Sequence, residues 1–264
     1  MSLQPMLEIS DLGKRFGEYT AVEGISLTVA PGEIFGFLGP NGAGKTTTIR
    51  MLAGLLQPDG GRILILGHDL AAEPLRCKQV TGYIPDRPFL YEKLTGMEFL
   101  QFMASLYSLP SAAFQRTVPP LLELFDLSGW QDHLIESYSH GMRQKLIITA
   151  AFMQEPPLIV VDEPMVGLDP KSARIVKELF KQHARKGNSV FLSTHSLEVA
   201  EELCHRIAII QQGRLRALGD IATLQQEART SKSHLEDIFL ELTGSRDLQA
   251  VIQALREEDR HNRV

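Results

Sequence analysis

Residues 33–54 read EIFGFLGPNGAGKTTTIRMLAG, and the order of residue types in this stretch decides the fold. Ile34 to Leu38 form a short, nearly continuous apolar run, the pattern of a strand buried on both faces. Gly39 to Thr47, GPNGAGKTT, match G-x-x-x-x-G-K-[ST]. Lys45 to Ala53 then read as a helix, stopped at Gly54. A strand, a glycine-rich turn and a helix start, in that order, curl successive backbone N–H groups around one anion. The helix end adds about half a positive charge there. The candidate cradle is Gly39, Pro40, Asn41, Gly42, Ala43, Gly44, Lys45, Thr46 and Thr47. Lys45 reaches the outer phosphates, and the Thr46 hydroxyl is free to ligate Mg²⁺.

A second stretch, LIVVDEP (residues 158–164), supplies a partner for this loop. An apolar strand ending in an acid can set Asp162 opposite the loop, to hold Mg²⁺ directly or through water. Glu163 is then placed to orient or deprotonate an attacking water. Two adjacent acids at a strand end can also be a solvated terminus, and only the phosphate loop favours the first reading.

Outward from these motifs, MLEIS and ISLTV alternate apolar and polar residues and predict a half-exposed antiparallel sheet. GRILILG (61–67) and residues 80–84 are further strands. Between Leu94 and Gln154 the signals are helical: Phe99, Phe102, Met103 and Leu106 follow one helix face, and Leu121, Leu122, Leu124, Phe125 and Leu127 another. Strands return at 158–162, 189–193 and 206–210. Sheet, helices, then sheet again predict an α/β fold: a P-loop core with a parallel sheet covered on both faces, an N-terminal antiparallel β subdomain, and an inserted α-helical subdomain at about 88–155. The expected division is a domain over 1–220 and a short C-terminal extension over 221–264. There, Leu235, Ile238, Phe239 and Leu242 form an amphipathic turn pair, and the final REEDRHNRV is expected to fray.

The bulk properties narrow the function classes. In 264 residues the net charge is −5, with no block of Lys or Arg, so a nucleic-acid partner is not expected. The two cysteines, Cys77 and Cys204, show no metal-ligand spacing and no disulfide framework. No run of about 18 apolar residues and no basic-then-apolar leader occurs, which predicts a cytoplasmic chain whose membrane role comes through another chain.

The ordered motifs together resemble the nucleotide-binding subunit of an ABC (ATP-binding cassette) transporter, over about Leu7 to Gly219. SYSHGMRQ resembles the family signature LSGGQ, with Tyr138-Ser139-His140-Gly141-Met142 in its place. VGLD (166–169) resembles the D-loop, STHS around His195 the switch-histidine segment, and Phe16 in KRFG the aromatic position that stacks on adenine. The resemblance implies ATP and Mg²⁺ as cofactors, and a head-to-tail homo- or heterodimer with a second ATP-binding subunit. Ser139 and Gly141 of one chain then bind the γ-phosphate held by the other. It also implies a separate transmembrane permease, whose coupling helix meets Phe89, Leu90 and Tyr91, and a peripheral location on the cytoplasmic face of the membrane. Other readings stay open: Asp169 before Pro170 is an ordinary helix cap as well as a D-loop acid, Ser139 is a possible plain N-cap, and Tyr19 competes with Phe16 for adenine. His195 would otherwise be a structural histidine.

Two departures stand out. Asp86 in GYIPDRPF occupies the place of the family's Gln, to reach Mg²⁺ through a water or to serve only the coupling surface. His140 replaces the first signature glycine, which predicts less backbone freedom there. YSxGM[RK]Q with a short extension resembles the exporter subgroup. The expected function is thus an ATPase powering transport, in the export direction, through a transmembrane partner. A soluble ABC-type ATPase, acting as a regulatory or mechanical module, is the alternative.

Overall fold

The structure, a computed structural model, describes residues 4–228 and 234–243. Strands β1 (Leu7–Phe16) and β2 (Tyr19–Val29) form an antiparallel hairpin, closed by the pair Phe16 and Tyr19. Then come β3 (Ile34–Leu38), α1 (Lys45–Leu52), β4 (Gly60–Ile65), β5 (His68–Asp69), α2 (Pro74–Gln79) and β6 (Thr81–Ile84). Three helices follow, α3 (Gly96–Leu106), α4 (Ser111–Leu124) and α5 (His140–Phe152). The chain returns through β7 (Leu158–Asp162), α6 (Pro170–Arg185), β8 (Ser189–Thr194), α7 (Leu197–Leu203), β9 (Arg206–Gln211) and β10 (Arg214–Gly219). Helices α8 (Ile221–Glu227) and α9 (Leu235–Leu242) close the described part. The frayed end expected for REEDRHNRV lies outside the described residues.

Two sheets result. One is antiparallel, in the order β2-β1-β4-β5. The other has the order β10-β9-β3-β8-β7-β6, parallel except for β10. Alternate residues of its strands feed opposite cores. Ile159, Val161, Val190 and Leu192 pack with the helical lobe, α6 and α7, whereas Leu158, Val160, Phe35 and Phe191 pack with the antiparallel sheet and α1. A strand whose side chains alternate between two apolar layers needs no polar face, which explains the unbroken apolar runs.

Register fixes what the sheet presents. Leu38 lies beside Thr194, and Asp162 beside Ser193, so the carboxyl ends of β3, β7 and β8 finish at one edge. In open α/β sheets that edge is where ligands bind.

Several expectations change. Helix α3 buries Phe99, Leu100 and Ala104, while Phe102 and Leu106 are exposed, so its inward face is rotated from the one predicted. Leu124 is exposed too, although Leu122, Phe125 and Leu127 are buried. Elements β5, α2 and β10 were not foreseen. His140 sits at the first helical position of α5 with no positive φ, so that place never needed glycine's freedom. In the extension, Leu235 and Ile238 are fully buried, packing with Ala200 of α7 and Ile207 and Ile209 of β9.

Candidate functional site

The fully buried β3 delivers the chain to the sheet edge, and the loop from Gly39 turns it into α1. The turn is fixed by close backbone approaches. A Cβ at Gly39 would meet the Ile210 carbonyl at 2.3 Å, and one at Gly44 (φ 104°) the Ala21 carbonyl at 2.4 Å. Lys45 Nζ donates to the carbonyls of Gly39 (2.7 Å) and Pro40 (3.2 Å), bracing the loop from inside. Its burial lowers the ammonium pKa, and the nearby Glu163 and Asp162 oppose that. Gly44 caps α1 with no side-chain hydrogen bond, so the first N–H groups of the helix keep their capacity for an anion.

Strand β7 brings Asp162 to the same edge almost completely buried, accepting a 2.8 Å bond from Ser193 Oγ. Burial raises its pKa, the Ser193 and Thr46 hydroxyls lower it, and the charges of Asp86 and Glu163 push it up again. Glu163 follows with φ 49°, a left-handed conformation that costs a side-chain-bearing residue about 1–2 kcal/mol. Its N–H donates to Ser193 O (2.9 Å) and holds the turn. The strained turn aims the carboxylate at β8, where Oε2 accepts from Thr194 Oγ1 (3.2 Å) and Oε1 lies 2.8 Å from His195 Nδ1. Glu163 is thus half-sheltered and tied, with the exposed imidazole of His195 as its outer neighbour.

One groove of about 390 Å³ takes its lining from the phosphate loop, Glu163 and His195; Gly39, Pro40 and Asp162 are not part of that lining. Phe16, Tyr19 and Ala21, Asn41 to Thr47, and Asp86, Glu163, Val166 and His195 line it. The Tyr19 hydroxyl donates to Gly42 O (3.3 Å), whereas Phe16 is half exposed with Lys14 Nζ 5.7 Å from its ring centre. A larger cavity of about 700 Å³ beside α6, lined by Leu124, Ile175 and Leu179 with Lys171, Arg174 and Glu178, holds none of these groups, so volume does not identify the site. No three acidic, histidine or cysteine side chains converge among the described residues to cage a metal unaided. The oxygen donors Thr46, Asp162 and Asp86 suit a hard cation that takes its remaining ligands from phosphate and water.

Ser139, Gly141 and Asp169 are likewise outside the groove's lining. Ser139 caps α5, its Oγ accepting from Met142 N (3.3 Å). Gly141 packs against Gly167, where a Cβ would meet the Gly167 carbonyl at 2.8 Å. Asp169 caps α6 through Ser172 N (2.9 Å) and Ser172 Oγ (2.6 Å) and pairs with Lys145 (3.2 Å), which together hold its carboxyl far below the usual range. Sequence reasoning missed Ser193 and Thr194, the hydroxyls that hold Asp162 and Glu163. Their position directly before His195 was the available signal. It missed Lys145 as well.

Parallel strands whose carboxyl ends carry a phosphate loop and a buried acid beside a tethered glutamate define a P-loop nucleotide-binding ATPase. Residues 22–166, more than half of the chain, match the ABC transporter family. The ABC-type transporter ATP-binding protein EcsA of Bacillus subtilis is 37% identical over 238 residues, 90% of this chain and 96% of that protein. Nod factor export ATP-binding protein I of Ralstonia nicotianae is 37% identical over 215 residues, 81% of this chain and 67% of that protein. A solved ATP-binding subunit of an ABC transporter superposes with a TM-score of 0.87 at 37% identity, covering 90% of this chain and 99% of that one. The chain belongs to the ABC transporter family, as an ATP-binding and ATP-hydrolysing subunit. No helix among the described residues is long and apolar enough to cross a membrane.

Proposed function

We propose that this chain pairs head to tail with a second ATP-binding subunit, a copy of itself or a relative, and drives export through a separate transmembrane permease on the cytoplasmic face of the membrane. The observation that carries the reading is one groove joining the phosphate loop to the Glu163–His195 pair. Similarity to a Nod factor export subunit supports the direction. Residues 1–220 form the ATPase domain, with the helical subdomain at about 88–155 inserted and 221–264 as extension.

In this reading Phe16 stacks on adenine, and the N–H groups of Gly39 to Thr47 and Lys45 hold the phosphates. Glu163 takes the proton from the attacking water, and His195, fixed by Glu163, meets the γ-phosphate with its free edge. Mg²⁺, held by Thr46, Asp162 and Asp86, would supply charge neutralisation at the phosphates. It fits the excess of carboxylate at this edge, where Asp86 and Glu163 both destabilise ionised Asp162. Ser139, Gly141 and Asp169, away from this chain's own groove, serve the partner's nucleotide. Binding can drive pairing only because the closed pair holds ATP better than the open chain does.

The test is Glu163→Gln, examined by light scattering with and without ATP. Retained nucleotide binding, loss of turnover and an ATP-dependent shift from monomer to dimer are expected. Near wild-type turnover would remove Glu163 as the base, and binding without pairing would remove the head-to-tail arrangement.

A further inference from the structure

We infer that Tyr19 and Gly213, both outside the phosphate-loop motif, are positioning residues that hold two of the loop's carbonyls turned away from the groove, so that its N–H groups are set for phosphate before any nucleotide arrives. The inference rests on the reading of Gly39 to Thr47 as the phosphate cradle and adds what gives that cradle its shape.

The carbonyls of such a loop govern its affinity for an anion as much as its N–H groups do. Across a trans peptide the C=O of one residue and the N–H of the next point in opposite directions. A carbonyl swung into the groove meets phosphate with negative charge and withdraws an N–H in the same movement. Five carbonyls of this loop are tied. Lys45 Nζ donates to Gly39 O and Pro40 O, and Thr48 N and Thr48 Oγ1 both donate to Gly44 O at 3.0 Å, so the motif and its helix hold three from within. The other two, in the middle of the turn, are held from elsewhere in the chain. The Tyr19 hydroxyl donates to Gly42 O at 3.3 Å, and Gly213 N donates to Ala43 O at 3.0 Å.

Both outside donors sit on elements that are fixed to each other. Gly213 has φ 76°, and a Cβ there would lie 2.9 Å from Ala21 O, so the turn between β9 and β10 approaches β2 too closely for a side chain. Glu23 N donates to Gly213 O (2.8 Å), and Arg214 grips the Glu23 carboxylate through two nitrogens, at 3.0 and 2.6 Å. Gly42, by contrast, is not wedged: at φ 78° it has open space where a Cβ would stand. Packing leaves that peptide free to turn, and the Tyr19 hydroxyl supplies the restraint. Gly213 is not part of the groove's lining and acts only through Ala43, whereas Tyr19 lines the groove and is 59% exposed. The experiment therefore has to separate a hold on the loop from a contact with the base.

It uses the full chain and two ligands, ATP and tripolyphosphate, which carries the phosphates without a base. Tyr19→Phe keeps the ring and removes the donor. It should weaken both ligands by the same factor, about threefold, as befits one exposed hydrogen bond, with the urea midpoint unchanged. Gly213→Ala, which pushes the turn off Ala43, should weaken both by about tenfold. Phe16→Ala is the contrast: ATP binds more weakly and tripolyphosphate as before. Should Gly213→Ala lose the fold, the mild and exposed Tyr19→Phe carries the test. Unchanged tripolyphosphate affinity in either folded variant would overturn the inference, and so would a Tyr19→Phe loss confined to ATP, which would put the hydroxyl on the base or sugar. Parent-like tripolyphosphate binding in Lys45→Ala would instead overturn the cradle reading beneath it.

Discussion

At the scale of single residues, the chain keeps several polar groups where water cannot reach them, and each sets a measurable property. His183 of α6 is 5% exposed, edge-on to Phe152 with ring centres 5.6 Å apart. Burial, helped by the Lys186 charge, pushes its pKa down to about 4 from the ordinary 6.5. Above pH 6.5 the imidazole is neutral in both folded and unfolded chains and adds no pH dependence. As pH falls below 6.5 only the unfolded chain takes the proton, so stability drops until the folded form also protonates near pH 4. Between pH 7.5 and pH 5 this group should cost about 2 kcal/mol, a slope that His183→Phe removes in denaturant titrations at the two pH values. Gln144 is fully buried, and neither amide atom has a hydrogen-bond partner among the described residues. Gln144→Met keeps the volume and discards the unmet polar atoms, so its unfolding free energy should rise by about 1–2 kcal/mol. Neither residue was legible beforehand, because a lone His or Gln in a helix reads the same whether its side turns in or out. The phosphate loop and Glu163 were legible because their chemistry demands particular residues in a particular order.

At the scale of elements, the strands buried on both faces were the easiest to read. β3 is apolar throughout, β7 is apolar up to Asp162, and β8 carries Val190 to Leu192 between its hydroxyls, short apolar runs that suit a strand. The hairpin of β9 and β10 was missed because its two-residue turn, Gln212 at φ 51° and Gly213 at φ 76°, places glutamine where Asn or Asp usually advertises a left-handed residue. The inward face of α3 was misjudged for another reason. Phe102 turns outward to meet Tyr91 edge-on, ring centres 5.5 Å apart, so a large apolar side chain at helix spacing did not mark the core. What starts that helix was written plainly. Thr95 Oγ1 accepts from Glu98 N (3.2 Å) while Glu98 Oε2 accepts from Thr95 N (2.8 Å), a reciprocal capping box. Thr95→Ala should cost about 1 kcal/mol of stability in urea titration and leave nucleotide affinity alone, since the cap lies outside the groove.

At the scale of the whole molecule, the groove lies at the carboxyl edge of the parallel sheet, and the loop leaving β6 connects it to an apolar surface. Asp86 lines the groove. Three residues on, Phe89 is 85% exposed, and Tyr91 and Phe102, in edge contact with each other, are exposed as well. Side chains so exposed hold little of the fold together, so Phe89→Ser with Tyr91→Ser should change stability by under about 0.5 kcal/mol. The same pair should abolish co-purification with the proposed permease. Retained co-purification would move the docking surface elsewhere.

Strand order also dictates how the chain must be made. β3, which leads into the phosphate loop, pairs with β8 and β9, strands that begin at residues 189 and 206. At about 5–20 residues per second of synthesis, it waits on the order of 10–30 s before either neighbour exists. During that time a wholly apolar ribbon has no edge to join, and late, non-local pairing of this kind is slow and open to misassociation. A nascent chain released before residue 189 therefore carries β3 without either of its sheet neighbours. Yield of this protein in a cell depends on what shields Ile34 to Leu38 until the ribosome has delivered the rest of the sheet.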